Sequence, residues 1–171
     1  MSLENLVWFA RNQPRVYQRL MTKQDGARSE WEYPFAAAGV NITFQLVNML
    51  ELSDPSVKMG VSPGPGQSAT DGAVVTGDEG ACVRRPRVSA PTSPAGVSFV
   101  DALSDEDDAF ERLYVTWFEV LDREWLERRA TYMEFPQVMG AAKKRVVGAL
   151  ERAGRRRGGC TMAGVREELE L

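Results

Sequence analysis

The sequence predicts an all-α fold, a helical bundle with a long disordered insertion. Apolar residues recur at helical spacing in three long stretches, residues 35–50, 110–126 and 138–150, and this period indicates amphipathic helices. A stretch rich in glycine, proline and serine separates the first of them from the other two. No segment qualifies as a strand, because the β-branched pair at 74–75 is too short.

Residues 1–52 form the first predicted part, with three helices. Proline suits the first turn of a helix, because its missing N–H has no partner to lose there. The second and third helices are therefore expected to begin near Pro14 and Pro34. The apolar stripe of the first helix consists of Leu3, Leu6, Val7 and Ala10. The stripe of the third consists of Phe35, Ala38, Ile42, Leu46, Met49 and Leu50.

The third helix lies in the longest uncharged run of the chain, Tyr33–Leu50, whose 18 residues reach the length of a membrane span. Its polar side chains are costly in hydrocarbon, so the run predicts a buried helix of a soluble protein. Gly39 indicates a close contact with another helix. Asn41 and Thr43 are expected either in satisfied buried hydrogen bonds or on the helix surface.

Residues 53–104 form the second predicted part, the insertion. They hold 7 of the 15 glycines, 6 of the 9 prolines and a single aromatic residue, Phe99. Such a composition cannot bury enough apolar surface to offset the conformational entropy of the chain. We therefore expect this part to be disordered.

Residues 105–171 form the third predicted part, and it is helical. Ser104 is expected to cap a helix over 105–129, whose acidic first turn suits the positive end of the helix dipole. A further helix is expected from Pro136, and a short one over 161–171. The stripe of the long helix consists of Phe110, Leu113, Tyr114, Trp117, Phe118, Leu121, Trp125 and Leu126. The stripe of the next consists of Val138, Met139, Ala142, Val146, Ala149 and Leu150.

The composition excludes several kinds of chemistry. The chain has no histidine, which removes Ser-His-Asp triads, Cys-His dyads and histidine-ligated metals. Cys82 and Cys160 are too few for a zinc site or a disulfide framework, and reduced thiols are expected. The net charge of −3 argues against nucleic acid as a partner. The residues thus predict no catalytic, cofactor-binding or metal-ligating group.

Three weaker signals allow a functional interpretation. Ser89 after the arginines of 84–87 could act as a phosphorylation switch, and Pro91 with Pro94 resembles a PxxP ligand. The aromatic stripe with Trp117 and Trp125 could line a ligand pocket, although core packing explains it better.

The charge along the third part is strongly polarised. Residues 101–122 contain eight acidic and one basic residue, whereas residues 123–157 contain ten basic and four acidic ones. This polarity could orient a partner or a peripheral contact with an anionic membrane. The alternative is a solvated surface with local ion pairs.

Four segments together resemble one known family. They are Leu3–Ala10, Tyr33–Phe44, Ala109–Tyr114 continuing to Leu121–Leu126, and Arg129–Phe135. The sequence is similar to the ELMO (engulfment and cell motility) domain over about residues 2–52 and 106–152. The segments occur in the family order. The resemblance implies an all-helical domain acting on small GTPases. Its partners would be an Arf-family GTPase, in the GTPase-activating branch, or a Rac exchange-factor complex, in the adaptor branch.

The resemblance also implies a missing catalytic arginine. In the activating branch that residue lies upstream of the block matched by Leu3–Ala10, in a segment resembling Asp-Phe-Arg-Gly-x-Gly. The string at 157–160, Arg-Gly-Gly-Cys, lies in the wrong place. We therefore expect a partial, cytoplasmic ELMO domain that binds partners without an arginine finger of its own. The alternative is an active GTPase-activating protein that recruits Arg11, Arg123 or Arg129.

Overall fold

A computed structural model describes residues 2–22, 33–52 and 90–171, and these residues form a helical bundle. Within these ranges there is no β-strand. A short 3-10 helix, Tyr132–Glu134, precedes the sixth α-helix. The α-helices are α1 (Ser2–Asn12), α2 (Pro14–Met21), α3 (Phe35–Met49), α4 (Pro94–Asp105), α5 (Ala109–Arg128), α6 (Phe135–Gly154) and α7 (Met162–Glu168).

Helix α5 lies at the centre of the bundle. It is buried on all sides from Leu113 to Asp122, as expected for a helix enclosed by neighbours. Helices α1, α3, α4, α6 and α7 all pack against it. Trp117 and Trp125 are fully buried, which confirms that they belong to the core. The stripes predicted for α3 and α6 also face this core.

An aromatic cluster joins α1, α3 and α5. The rings of Phe35 and Phe118 stack with their centroids 4.6 Å apart, and Phe9 lies 5.6 Å from Phe118. Such ring pairs contribute stability beyond the area they bury. Beside them the Asn5 amide donates to the Thr43 hydroxyl at 3.1 Å, so the buried polar position expected in α3 is satisfied.

The apolar stripe predicted for α1 is correct only in part. Leu6 packs against the core, but Leu3 and Val7 are exposed, and the buried residues of α1 are Asn5 and Phe9. The reason is that the Asn5–Thr43 hydrogen bond fixes the face of α1 that meets α3. A polar residue is then part of the core face, which a count of apolar residues cannot reveal.

The predicted C-terminal boundary of the insertion is also wrong. Residues 94–104 belong to α4, which buries Ala95, Phe99 and Ala102. Ser104 lies near the end of α4, where its hydroxyl donates to the Val100 carbonyl, and does not cap α5. Residues 53–89, with Cys82 and Ser89, lie outside the described residues.

Local capping explains why α4 forms. The Ser93 hydroxyl accepts from the Gly96 N–H at 3.1 Å, and Pro94 occupies the first turn. Because Pro94 is helical, the PxxP interpretation is wrong there. The Glu51 carboxylate accepts from the Thr92 N–H at 2.6 Å and thereby ties the end of α3 to the start of α4.

Three carboxylates of α5 are buried, and each has a partner from the periphery. Glu119 accepts from Arg19 of α2 and from Arg166 of α7, each at 2.5 Å. Asp122 accepts from the Tyr33 hydroxyl at 3.1 Å. Glu124 accepts from two arginines on α5 and α6. Buried charges need such partners, so these contacts align α2, α6 and α7 on α5.

None of the helices in the described ranges is both long and apolar enough to cross a membrane. Helix α3, in the long uncharged run, is part of the bundle, with Ala38, Ile42 and Leu46 completely buried.

Candidate partner-binding surface

The C-terminal end of α5 adopts a Schellman turn. The Ala130 N–H donates to the Trp125 carbonyl and the Arg129 N–H to the Leu126 carbonyl, each at 3.1 Å. Arg129 has φ 47° and ψ 47°, the left-handed conformation that glycine usually supplies. Ala130 is completely buried and anchors the turn. A non-glycine residue here carries a strain of about 1–2 kcal/mol.

The next residues form a rigid turn closed by a capping box. The Thr131 N–H donates to the Glu134 carboxylate at 2.8 Å, and the Thr131 hydroxyl donates to the same oxygen at 2.9 Å. These hydrogen bonds lower the pKa of Glu134 below its ordinary value. The carboxylate form, which the capping box requires, is thus favoured at neutral pH.

This turn displays large apolar side chains to solvent. Tyr132 is 66% exposed and Met133 is 82% exposed, and Leu126 is exposed one helical turn before Arg129. We call Leu126, Arg129, Tyr132 and Met133 the α5 tip. Apolar side chains held outward by a braced turn bind partners at little entropic cost, because the backbone is already ordered. Tyr, Met and Arg are also enriched at protein interfaces.

The three arginines proposed as an alternative finger lie in different environments. Arg123 donates to the Leu169 carbonyl at 2.7 Å and to the Glu170 carbonyl at 2.9 Å, so it holds the C-terminus and is not free to reach a partner. Arg11 and Arg129 are exposed and have no ion pair with any residue of the described ranges. Arg129 lies beside the exposed Tyr132 and Met133, whereas Arg11 lies one helical turn after the less exposed Val7 on α1.

The basic stretch at 123–157 is partly neutralised within the domain, where Arg128, Arg145, Arg152, Arg155 and Arg156 form ion pairs. Lys143 donates to Gln45, Arg145 to Glu124, and Arg152 to Glu168. Arg156 pairs with Glu167 and Glu168. Local ion pairs therefore account for half of these basic residues within the described ranges, and Arg129, Lys144 and Arg157 form none there.

The described residues contain no group of three or more acidic or cysteine side chains able to hold a metal ion. Cys160 is a free, buried thiol. Burial raises its pKa to about 11, and the charges of Asp101 and Glu106 add to the effect. Cys160 is thus unsuited to act as a nucleophile or a thiolate ligand near neutral pH.

The helical period does not mark the α5 tip as a surface. It places Leu126 in the core stripe, and this prediction is wrong, because Leu126 is exposed. The signal that was available is Tyr132-Met133 between Thr131 and Glu134, since Thr-x-x-Glu is a capping-box pattern. That pattern fixes the backbone and leaves the two middle side chains outside.

The α5 tip and the helices around it fall within one family match. The model of the ELMO/CED-12 family matches residues 1–139. The chain belongs to the ELMO/CED-12 family. Its α7 and most of α6 lie beyond the matched range.

Known proteins are similar to this ELMO/CED-12 chain. ELMO domain-containing protein A of Dictyostelium discoideum is 30% identical over 150 residues, covering 87% of this chain and 14% of the relative. ELMO domain-containing protein C of the same organism is 25% identical, covering 85% and 19%. Human engulfment and cell motility protein 3 is 22% identical, covering 88% and 16%. The chain thus spans less than a fifth of the length of these relatives. No solved structure matches it significantly.

Proposed function

We propose that this ELMO/CED-12 domain is a partner-binding module of small-GTPase regulation, and that it binds through the α5 tip. The partner is an Arf-family GTPase or a Rac exchange-factor complex in the cytoplasm. Membership of the family supports the link to GTPases. The observation that carries the choice of surface is the pair Tyr132 and Met133, which project from a braced turn.

The chemistry of the α5 tip suits a small protein interface. Tyr132 and Met133 supply apolar area, and Arg129 supplies a planar cation that can pair with a carboxylate or a phosphate. A few such residues usually carry most of the binding free energy of an interface. The partner surface is therefore expected to combine an apolar pocket with an acidic group.

A binding measurement tests this proposal. The immobilised chain is exposed to Arf-family GTPases loaded with a non-hydrolysable GTP analogue, and to a Rac exchange factor. We expect the Tyr132→Ser/Met133→Ser variant to lose at least about tenfold in affinity, since hot-spot truncations cost about 2 kcal/mol or more. The matched control, Val97→Ser/Val100→Ser, removes two exposed apolar residues of α4. No binding to either class of partner, or equal loss in both variants, would overturn the proposal.

Catalysis is a second candidate function, favoured by the conformation of Arg129. An arginine supplied in trans stabilises charge on the transferring phosphoryl group and accelerates hydrolysis by about 10³–10⁵. Arg129 is exposed, without an ion pair in the described ranges, and held in a strained conformation. Strain of this kind clusters at functional sites.

Single-turnover GTP hydrolysis decides between binding and catalysis. If Arg129 acts as the finger, micromolar protein accelerates hydrolysis, and Arg129→Lys abolishes the acceleration while binding persists, because lysine keeps the charge but not the planar fork. Arg11→Lys, at the other exposed arginine, serves as the control. Binding without acceleration leaves the module a non-catalytic adaptor.

A further inference from the structure

A second surface lies at the opposite end of α5. At about 1.5 Å per residue, the 20 residues of α5 span roughly 30 Å, so this surface is remote from the α5 tip. It is an open pocket of 370 Å³ where α1 and the end of α3 meet the start of α5. We call it the α5 pocket, and it is lined by Glu4, Asn5, Trp8, Leu52, Asp107, Phe110 and Glu111.

The charge of the α5 pocket is one-sided. Its lining contains three carboxylates and no cation. The neighbouring acids, Glu106 and Asp108, both pair with Arg112. Asp107 and Glu111, in contrast, form no ion pair with any residue in the part of the chain that the structure describes. The N-terminal amino group holds Glu4 and lowers the pKa of its carboxyl. The charge of the pocket that no side chain of the described ranges pairs with is therefore that of Asp107 and Glu111.

The remaining lining is apolar and partly aromatic. The half-buried rings of Trp8 and Phe110 contribute to the lining, and Leu52 lies exposed at the edge. A guanidinium or ammonium group is attracted both by carboxylates and by aromatic faces. The carbon stem of such a side chain also packs well on apolar surface. A hydrated metal ion would gain nothing from the rings.

We propose that the α5 pocket binds a basic side chain, arginine or lysine, presented by an apolar-flanked peptide segment of a partner protein. The complementarity of charge selects the basic group, and the aromatic lining with Leu52 selects the apolar flank. A volume of 370 Å³ lies near the lower limit of ligand pockets and suits one long side chain. The assignment is independent of the function proposed for the α5 tip.

A titration followed by NMR tests this site directly. The full chain, labelled with ¹⁵N, is titrated with an eight-residue peptide that contains two arginines flanked by leucines. We expect the indole N–H signal of Trp8, assigned through Trp8→Phe, to shift in a saturable manner. The signals of the buried Trp117 and Trp125 should stay in place, because these residues are enclosed in the core.

Two variants that each remove two negative charges distinguish binding in the pocket from attraction by the general negative charge of the region. Asp107→Asn/Glu111→Gln should weaken peptide binding roughly tenfold, as expected for loss of a close charge pair. Asp101→Asn/Asp105→Asn removes two exposed acids outside the pocket and should change affinity less than about twofold.

Three results would overturn the proposal. Equal weakening in both variants would assign binding to bulk charge. Equal affinity for a peptide with glutamates in place of the arginines would assign it to apolar docking alone. Saturable binding without a shift of the Trp8 signal, or no binding at all, would show that the peptide does not bind in the pocket. None of these results depends on Tyr132 or Met133, so failure here leaves the proposed function to its own test.

Discussion

Gly39 of α3 lies directly against the hydroxyl group of Tyr114 on α5. A Cβ atom at Gly39 would stand 2.5 Å from the Tyr114 oxygen and 3.0 Å from a methyl carbon of Leu6 on α1. The Tyr114 side chain is completely buried and cannot move into solvent. Three helices therefore meet at one residue that must lack a side chain.

This contact predicts that Gly39→Ala destabilises the protein. Overpacking of a core costs about 1–3 kcal/mol, and the gain in helix propensity of about 1 kcal/mol offsets only part of it. Chemical denaturation followed by circular dichroism measures the difference. Gly140→Ala is the matched control, because nothing lies within 4 Å of a Cβ there. Gly140→Ala should stabilise the protein by about 0.5–1 kcal/mol, and a change of equal sign in both variants would contradict the contact.

Glu124 predicts a loss of stability in acid. Burial raises the pKa of its carboxyl, but hydrogen bonds from Arg145 at 2.6 Å and from Arg128 at 3.0 Å outweigh burial, so the pKa lies below its ordinary value. A lowered folded-state pKa stabilises the protein above the pKa of the unfolded chain, about 4.3. This stabilisation disappears as the pH falls through the lower value.

The experiment compares unfolding free energies from pH 7 to pH 3. Glu124→Gln should lower stability by about 1–2 kcal/mol at pH 7 and flatten the decline below about pH 4. Glu127→Gln serves as the control. The Glu127 side chain is 60% exposed, and its carboxylate comes no closer to the Arg145 guanidinium than 3.9 Å. An acid decline that is unchanged in Glu124→Gln would refute this role.

Cys160 should resist thiol reagents in the folded protein. Its side chain is buried and burial raises its pKa to about 11, so the reactive thiolate is scarce near pH 8. In a Cys82→Ser background, reaction with a disulfide reagent at pH 8 should be at least about 100-fold slower than in denaturant. Rapid labelling under native conditions would show that the α6–α7 junction opens readily.

Arg129→Gly should stabilise the domain while it removes a side chain from the α5 tip. Glycine adopts the left-handed conformation without steric cost. It also raises the conformational entropy of the unfolded chain, which offsets part of this stabilisation. We expect a net increase of about 0.5–1 kcal/mol in the free energy of unfolding. Thermal and denaturant unfolding measure it, and a decrease would mean that the side chain of Arg129 supports the fold.

The long amphipathic helices could be predicted from the sequence because their apolar periods match their buried faces. In α6, for example, Val138, Ala142 and Val146 are all completely buried. Helix α4 cannot be recognised from the composition of the whole insertion, because the helix is much shorter than the segment that contains it. Averaged over 52 residues, the composition of the insertion hid the local pattern, in which Ser93 caps the helix, Pro94 begins it and Phe99 anchors it.

The left-handed residue within the α5 tip could not be predicted from local sequence alone. The position of Arg129 contains no glycine, so nothing in the sequence marks a left-handed residue. That conformation arises because Ala130 is buried and its N–H returns to Trp125, which are properties of the folded bundle. The α5 pocket likewise requires α1, α3 and α5 to be packed before Trp8 and Phe110 line the same cavity.

The hydrogen bond from the Thr92 N–H to Glu51 holds the end of α3 beside the start of α4. The number of residues that connect these two points can therefore change without moving either helix. With Ser93 also reaching the Met49 carbonyl at 3.4 Å, the ends of α3 and α4 hold each other. Doubling the number of residues between them adds only ~0.6 kcal/mol of closure entropy. Genes encoding such a domain can therefore gain or lose sequence between positions 52 and 90 while the core is inherited unchanged, and a protein engineer can insert a reporter at the same point.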